Sequence, residues 1–294
     1  MVDDISPCEP DRHCRAAGKG PTMRLANIRV DGRTRAARAD GDTLVVLEDE
    51  LTDLLRRPGW QDLALTSNGA RVPVAGASFA PLVTTPDKII CAGLNYKAHI
   101  AETGRPTPEH PFFFSKFPAA LIGAHDELRL PTVSEQTDWE VELTVVIGEP
   151  VRDVDESGAR AAIAGYTIMN DVTVRDWQHH GPTWLAGKTF EATTPLGPYL
   201  VTPDEFPPGE IDLELTCSVN GERMQKSRTS DLLFGVPVLI SYMSRVLTLL
   251  PGDVIATGTP SGIGGRMTPP RFLEPGDVLT TAIPGIGELQ NVCR

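Results

Sequence analysis

In the segment DWEVELTVVIG (residues 138–148), two glutamates, Glu140 and Glu142, stand two residues apart. Side chains alternate along a strand, so both carboxylates project from one face while Val141, Leu143 and Val145 point to the other. Asp212 and Glu214 have the same spacing and need only be the wet face of a hairpin. What distinguishes the first pair is the sequence after it: Val145-Val146-Ile147 is apolar on both faces, which carries this strand into the core. Two adjacent carboxylates there repel and lose their water unless a cation sits between them. Metal ligation is therefore the reading for Glu140 and Glu142. A third oxygen ligand is expected from GYTIMND (residues 165–171), a strand after a predicted helix over 155–164, with Asp171 at its end as the choice. Three carboxylates and waters suit a hard dication, Mg²⁺ or Mn²⁺, with positions left for a chelating substrate; zinc suits the set less well.

His99 and Glu102 are spaced i, i+3 on a short predicted helix over 97–103, within hydrogen-bonding reach on one face. A carboxylate accepting from one ring nitrogen raises the basicity of the other, which would poise His99 to deprotonate water near neutral pH; an exposed helix pair without a role has the same spacing. The next residues, TGRPTPEHP (103–111), have Gly and Pro hinges among polar side chains, the composition of a mobile lid. Lys188, in Gly187-Lys-Thr-Phe, either lies near the metal to hold substrate oxygens or protonate a leaving carbanion, or is a surface lysine. Arg175 and Gln178, again i and i+3, could bind a carboxylate, and TGTP (257–260) could offer hydroxyls and backbone N–H groups to an anion or be a plain turn. His179 and His180 face apart and read as surface or pocket-edge residues.

The elements that must position these groups are short. With 27 Gly, 26 Pro and only 6% aromatic residues in 294, many turns between short strands are expected, an α+β fold that is mostly β. Residues 1–22 are polar and lack the apolar run of a signal peptide, so they read as a disordered extension; Cys8, His13 and Cys14 within it lack the second pair that completes a zinc set. Residues 23–80 read as a small N-terminal subdomain with a turn at Asp31-Gly32 and a helix over 51–57, and 81–87 as a linker. The catalytic domain is assigned to 88–294 and opens with a buried strand over 88–93. Alternation over 211–219 followed by Asn220-Gly221 predicts a two-residue hairpin turn, and apolar residues at helical spacing over 236–250 predict an amphipathic helix ended by Pro251-Gly252 and packed on a sheet. The tetrapeptide PGDV occurs twice, at 251 and 275, each time as a turn entering a strand.

Composition bounds the partners. With 27 basic and 39 acidic residues the net charge is −12, the wrong sign for neutralising nucleic-acid phosphates. No apolar run is long enough for a bilayer, and Cys91, Cys217 and Cys293 stand singly in apolar settings, as reduced core thiols of a cytoplasmic protein do. A small anionic substrate would have to be held by a metal and a few local cations against the overall field.

In order and at these separations, GLNYKAHIAE (93–102), FSK (114–116), DWEVEL (138–143), NDVTVRDWQ (170–178), GKTF (187–190), PLGP (195–198) and TGTP (257–260) resemble the fumarylacetoacetate hydrolase family, in its short bacterial members related to acylpyruvate and diketo sugar-acid hydrolases. The likeness covers about residues 88–288. It implies a mixed β-roll that forms a homodimer, Mg²⁺ or Mn²⁺ on Glu140, Glu142 and Asp171, a water-activating dyad of His99 and Glu102 on a lid, and contacts from Lys188, Arg175, Gln178 and Thr259 to a keto acid. Where animal fumarylacetoacetases carry a further acidic ligand, this chain has Asn95, as the short members do, which argues against fumarylacetoacetate itself as substrate. The activity implied is metal-dependent hydrolysis of a C–C bond in an acylpyruvate or 2,4-diketo acid, in aromatic or sugar-acid catabolism. The alternatives are a decarboxylase or enol–keto isomerase of a small keto diacid, oxaloacetate-like or 2-hydroxyhepta-2,4-diene-1,7-dioate-like, and a non-catalytic protein whose metal only staples carboxylates together.

Overall fold

The computed structural model describes residues 22–209 and 211–294. The expected extension, with Cys8, His13 and Cys14, lies outside the described residues except for Thr22. Strands β1 (Arg24–Val30) and β2 (Arg33–Asp40) form a hairpin on Asp31-Gly32, both at positive φ, and β3 (Thr43–Val46), α1 (Leu51–Leu55), α2 (Trp60–Thr66) and β4 (Arg71–Pro73) follow. Next come β5 (Ile89–Gly93), α3 (Lys97–Thr103), β6 (Phe112–Lys116), β7 (Leu121–Ile122), β8 (Thr137–Asp138), β9 (Val141–Ile147), α4 (Glu156–Ala161) and β10 (Ile163–Asn170). The remainder is β11 (Thr173–Val174), α5 (Arg175–Gln178), α6 (Leu185–Lys188), β12 (Thr194–Val201), β13 (Glu214–Val219), β14 (Glu222–Arg228), α7 (Val236–Val246), β15 (Val254–Ala256), β16 (Val278–Ile283) and β17 (Gly287–Val292).

Among the described residues one sheet of eleven strands runs β4-β3-β2-β1-β12-β10-β9-β15-β5-β6, with β7 beside β12. It is mixed: β15 is parallel to β5 and β7 to β12, and the other pairings are antiparallel. A second sheet, β14-β13-β16-β17, packs against β9 and β10. Strand β9 is buried along its whole length: Leu143, Val145 and Ile147 join the core under the second sheet, and Val146 joins the core under α1 and α2. The α+β, mostly β class is as the turn-rich composition implied. Cys91, Cys217 and Cys293 are buried free thiols, and among the described residues no helix is long and apolar enough to cross a membrane.

The structure redraws some expected elements. Residues 23–80 continue the large sheet through β1, which pairs with β12 in the register Arg24↔Val201. The segment 81–87 carries Leu82 and Val83 fully buried, and the Leu82 N–H bonds to the Leu196 carbonyl, so it runs through the core. Helix α4 stops at Ala161, short of 164, because Ile163 pairs with Ile147 in the sheet. Helix α7 stops at Val246, well before Pro251-Gly252, because Leu249 is drawn into a bridge with Val151; it lies beside α4, and its Leu239, Ile240 and Met243 share a core with Leu143 and Val145 of β9 and Leu215 of β13. Helix α2 follows Gly59, at φ 69°, whose turn with Pro58 hides it in the sequence.

Candidate active site

Strands β9 and β10 run antiparallel with Glu142 opposite Met169 and Val141 opposite Asn170. Glu140, one residue before β9, therefore meets Asp171, one residue after β10, and the Asp171 N–H bonds to the Glu140 carbonyl at 2.8 Å. Carboxylate oxygens of Glu140, Glu142 and Asp171 all lie within 4.8 Å of one another, and all three residues are buried. The comparison pair behaves as a wet face should: Asp212 and Glu214 are solvent-accessible and pair with Arg228 and Lys226.

Two buried ammoniums face this cluster. Lys188 Nζ, at the end of α6, is 2.8 Å from Glu140 Oε2 and 2.7 Å from Asp171 Oδ2. Lys116 Nζ, at the end of β6, is 2.6 Å from Asp171 Oδ1 and donates to the Val172 carbonyl at 3.1 Å. Lys116 is a site residue that no motif spacing marks in the sequence. Its signal was a lysine closing an apolar strand, FFFSK, where alternation puts it on the same face as Phe114. Arg175, expected to bind substrate, is engaged by the protein: Nη1 is 2.7 Å from Glu140 Oε1 and 3.1 Å from Gln178 Oε1, and Nε is 2.7 Å from Asp138 Oδ2. Its Nη2 is buried with no partner among the described residues.

The charges do not balance. Arg175 and Asp138 offset each other, and three carboxylates against two ammoniums leave one negative charge. Burial alone would raise the Glu140 carboxyl, yet Lys188 and Arg175 hold it at about 2. Glu142 is pushed well above the usual carboxylate range, first by burial and then by repulsion from Asp171 and Glu140, despite the Gly258 N–H at 2.7 Å from its Oε2. The uncompensated charge thus falls on Glu142, which ionises readily only when a further cation joins. An all-oxygen, buried donor set with this deficit fits a hard dication of the Mg²⁺ or Mn²⁺ type.

On α3, His99 Nδ1 is 2.8 Å from Glu102 Oε2, and Glu102 Oε1 accepts the Gly262 N–H at 3.1 Å. Burial opposes ionisation of Glu102, but the bonds from His99 and Gly262 outweigh it and hold its carboxyl below the ordinary range. The start of α3 is tied down by the Ala98 N–H donating to Asp231 Oδ2 at 3.1 Å. His99 borders an inner chamber of about 50 Å³ together with Glu140, Glu142, Arg175, Gln178 and Lys188. His99 and the carboxylates of Glu140 and Glu142, far apart in sequence, therefore share one cavity.

Thr259 also borders the chamber, but its hydroxyl donates to the Val141 carbonyl at 3.0 Å and accepts from Gln225 Nε2 at 2.9 Å. The backbone N–H offered by TGTP goes from Gly258 to Glu142. Asn95 is turned to the backbone: Nδ2 donates to the carbonyls of Phe234 and Thr257, and Oδ1 accepts the Phe234 N–H. His179 edges an outer chamber, and His180 lies against Trp177 at 4.8 Å between ring centroids.

Residues 88–294 match the family described as Fumarylacetoacetate (FAA) hydrolase C-terminal. A mitochondrial oxaloacetate tautomerase of Bos taurus is 43% identical over 230 residues, covering 78% of this chain and 73% of that protein. Among solved structures, the fumarylacetoacetate hydrolase of the psychrophile Exiguobacterium antarcticum superposes with a TM-score of 0.83 at 33% identity, over 92% of this chain and 99% of the other. The 2-hydroxyhepta-2,4-diene-1,7-dioate isomerase of Mycobacterium marinum gives 0.77 at 32% identity, over 92% and 98%.

Proposed function

The chain belongs to the fumarylacetoacetate hydrolase family, and we propose that it is a divalent-metal-dependent enzyme that interconverts the enol and keto forms of a small 2-oxo acid. The observation that carries this reading is the inner chamber itself, lined by His99, which Glu102 holds by a hydrogen bond, and by Glu140 and Glu142, which with Asp171 make a carboxylate cluster suited to a dication. Proton transfer next to a carbonyl needs these two parts: a base, and something that stabilises the enolate. The sequence relationship to a protein named as an oxaloacetate tautomerase supports the same class.

Glu140, Glu142 and Asp171 would hold the dication, which supplies Lewis-acid stabilisation of negative charge on the oxygens of a chelated 2-oxo acid. Glu102 fixes the His99 ring through Nδ1, leaving Nε2 to take a proton from the substrate and return it. Lys188 keeps its own proton: burial lowers its pKa, but Asp171 and Glu140 more than offset this, so its ammonium holds charge in place and is a poor acid. Arg175 Nη2 and Gln178 orient the substrate carboxylate from the chamber wall.

A second reading, hydrolysis of the C–C bond of an acylpyruvate, is favoured by the same dyad, because His99 Nε2 would equally deprotonate a water. A homodimer in the cytoplasm, implied by family resemblance and by the free thiols, belongs to this proposal and is tested by sedimentation and fractionation. The decisive experiment follows enol absorbance of oxaloacetate and of an acylpyruvate panel with Mg²⁺, Mn²⁺ or chelator, and identifies the products. Metal-dependent loss of the oxaloacetate enol without carbon loss supports tautomerisation. Cleavage of an acylpyruvate into two acids favours the hydrolase reading, and no turnover alongside a large chelator-induced loss of stability would leave only a metal-stapled binding protein.

A further inference from the structure

The inner chamber opens into a larger one of about 400 Å³, and Leu94, His99, Arg175, Gln178 and Trp184 border both. Arg105 and Arg266 join Arg175 in the outer wall, and no acidic residue is among its described lining. On a chain of net charge −12 this is a local reversal of the field. The two outer arginines come from different elements: Arg105 follows Gly104, the left-handed cap of α3, and Arg266 lies in the turn after β15. Neither guanidinium has a carboxylate within salt-bridge distance among the described residues. Arg266 is near enough to Glu102 to help keep that carboxylate ionised, which puts it beside the catalytic dyad.

Arg105 sits on a rigid platform. Its Cζ is 5.8 Å from the centroid of the Trp184 ring, which packs edge-on against Phe112 at 4.9 Å and Phe114 at 5.5 Å. Trp184 is at φ 62°, a left-handed conformation costly for a large side chain and of the kind that gathers at functional sites. A guanidinium resting on a ring still has N–H groups to offer the two oxygens of a carboxylate.

We propose that Arg105 and Arg266 bind a second carboxylate of the substrate, making the protein selective for 2-oxo diacids over 2-oxo monoacids of equal length. The inference rests on the 2-oxo acid reading of the inner chamber and adds the residues that choose among such acids. Because both arginines are exposed, each contributes modestly and through a charge that salt screens.

The test is calorimetric titration of the Mg²⁺-loaded protein with 2-oxoadipate and with 2-oxohexanoate, which differ only in the distal carboxylate. At low salt the diacid should bind about tenfold more tightly, and 0.5 M salt should remove most of that preference. Arg105→Gln and Arg266→Gln should each weaken diacid binding about two- to fivefold, leave the monoacid unchanged, and together equalise the two. Equal affinities in the parent, or variants that weaken both ligands alike, overturn the proposal. Metal-dependent binding of the monoacid without a diacid preference sinks the proposal alone, whereas failure of both ligands to bind takes the 2-oxo acid reading with it.

Discussion

Glu140 and Glu142 stand in one cluster, yet replacing each by glutamine should have very unequal consequences for the metal-free protein. Glu140 is buried, and the drop of its carboxyl from 4.5 to about 2, converted at about 1.4 kcal/mol per pKa unit, corresponds to about 3 kcal/mol of stability. The sign follows from the depressed value: this contribution is present above pH 4.5 and lost as pH falls towards 2. Glu140→Gln removes it and leaves Lys188 and Arg175 each short of a carboxylate, so in EDTA at pH 7 the melting temperature should drop by about 6–12 °C. Glu142 adds no such contribution, since burial and the charges of Asp171 and Glu140 raise its carboxyl instead of lowering it. Glu142→Gln should therefore change metal-free stability by less than about 1 kcal/mol. Its cost appears only with metal: at Mg²⁺ a hundredfold above its dissociation constant the parent should gain about 2.7 kcal/mol, and the Glu142→Gln protein nothing. Denaturant melts of the three proteins, with EDTA and with Mg²⁺, check this. If Glu142→Gln destabilises the EDTA-treated protein as much as Glu140→Gln does, Glu142 is an ionised member of a static charge network and the cation cradle is wrong.

Four further outcomes follow from the same geometry. Because burial and like charges hold the folded Glu142 carboxyl above its unfolded value, metal-free stability should fall as pH rises above 4.5, and Mg²⁺ binding should release protons from it, read as buffer-dependent enthalpy in calorimetry. His99→Gln should lower turnover by about 10²- to 10⁴-fold while leaving the Mg²⁺-induced thermal shift unchanged, which kinetics and melts on one preparation separate. Gly187→Ala puts a Cβ against the Gln178 backbone nitrogen and the Val174 carbonyl, closer than van der Waals contact allows, so α6 must move off α5; about 1–3 kcal/mol of stability and much of kcat should be lost, measured by melting and by turnover at saturating substrate. Asn95→Asp sets an acceptor against the carbonyls of Phe234 and Thr257, and should cost about 1–3 kcal/mol without tightening metal binding, measured by melting and Mg²⁺ titration.

The carboxylate cluster could be read from the sequence because its evidence is local. Alternation fixes which way Glu140 and Glu142 point, and the apolar run behind them says that their strand is buried, which separates them from Asp212 and Glu214. The His99–Glu102 contact is similarly local, set by one helical turn. Pairings across the chain carry no such mark. That β1 would zip onto β12, 177 residues on at Arg24↔Val201, or that Leu249 would leave α7 for Val151, is decided by which distant edge is free and by what must be covered. The same blindness explains Arg175 and Lys116. Sequence spacing said that Arg175 suits a carboxylate, but not that Glu140 and Asp138 would be the first ones to reach it. Three buried carboxylates with only Arg175 near them in the sequence oblige the fold to bring more positive charge from elsewhere, and the buried face of FFFSK was a place to look for it. What those lysines leave unmatched is Glu142, so the deficit that a dication would fill is a property of the assembled site and of no one segment.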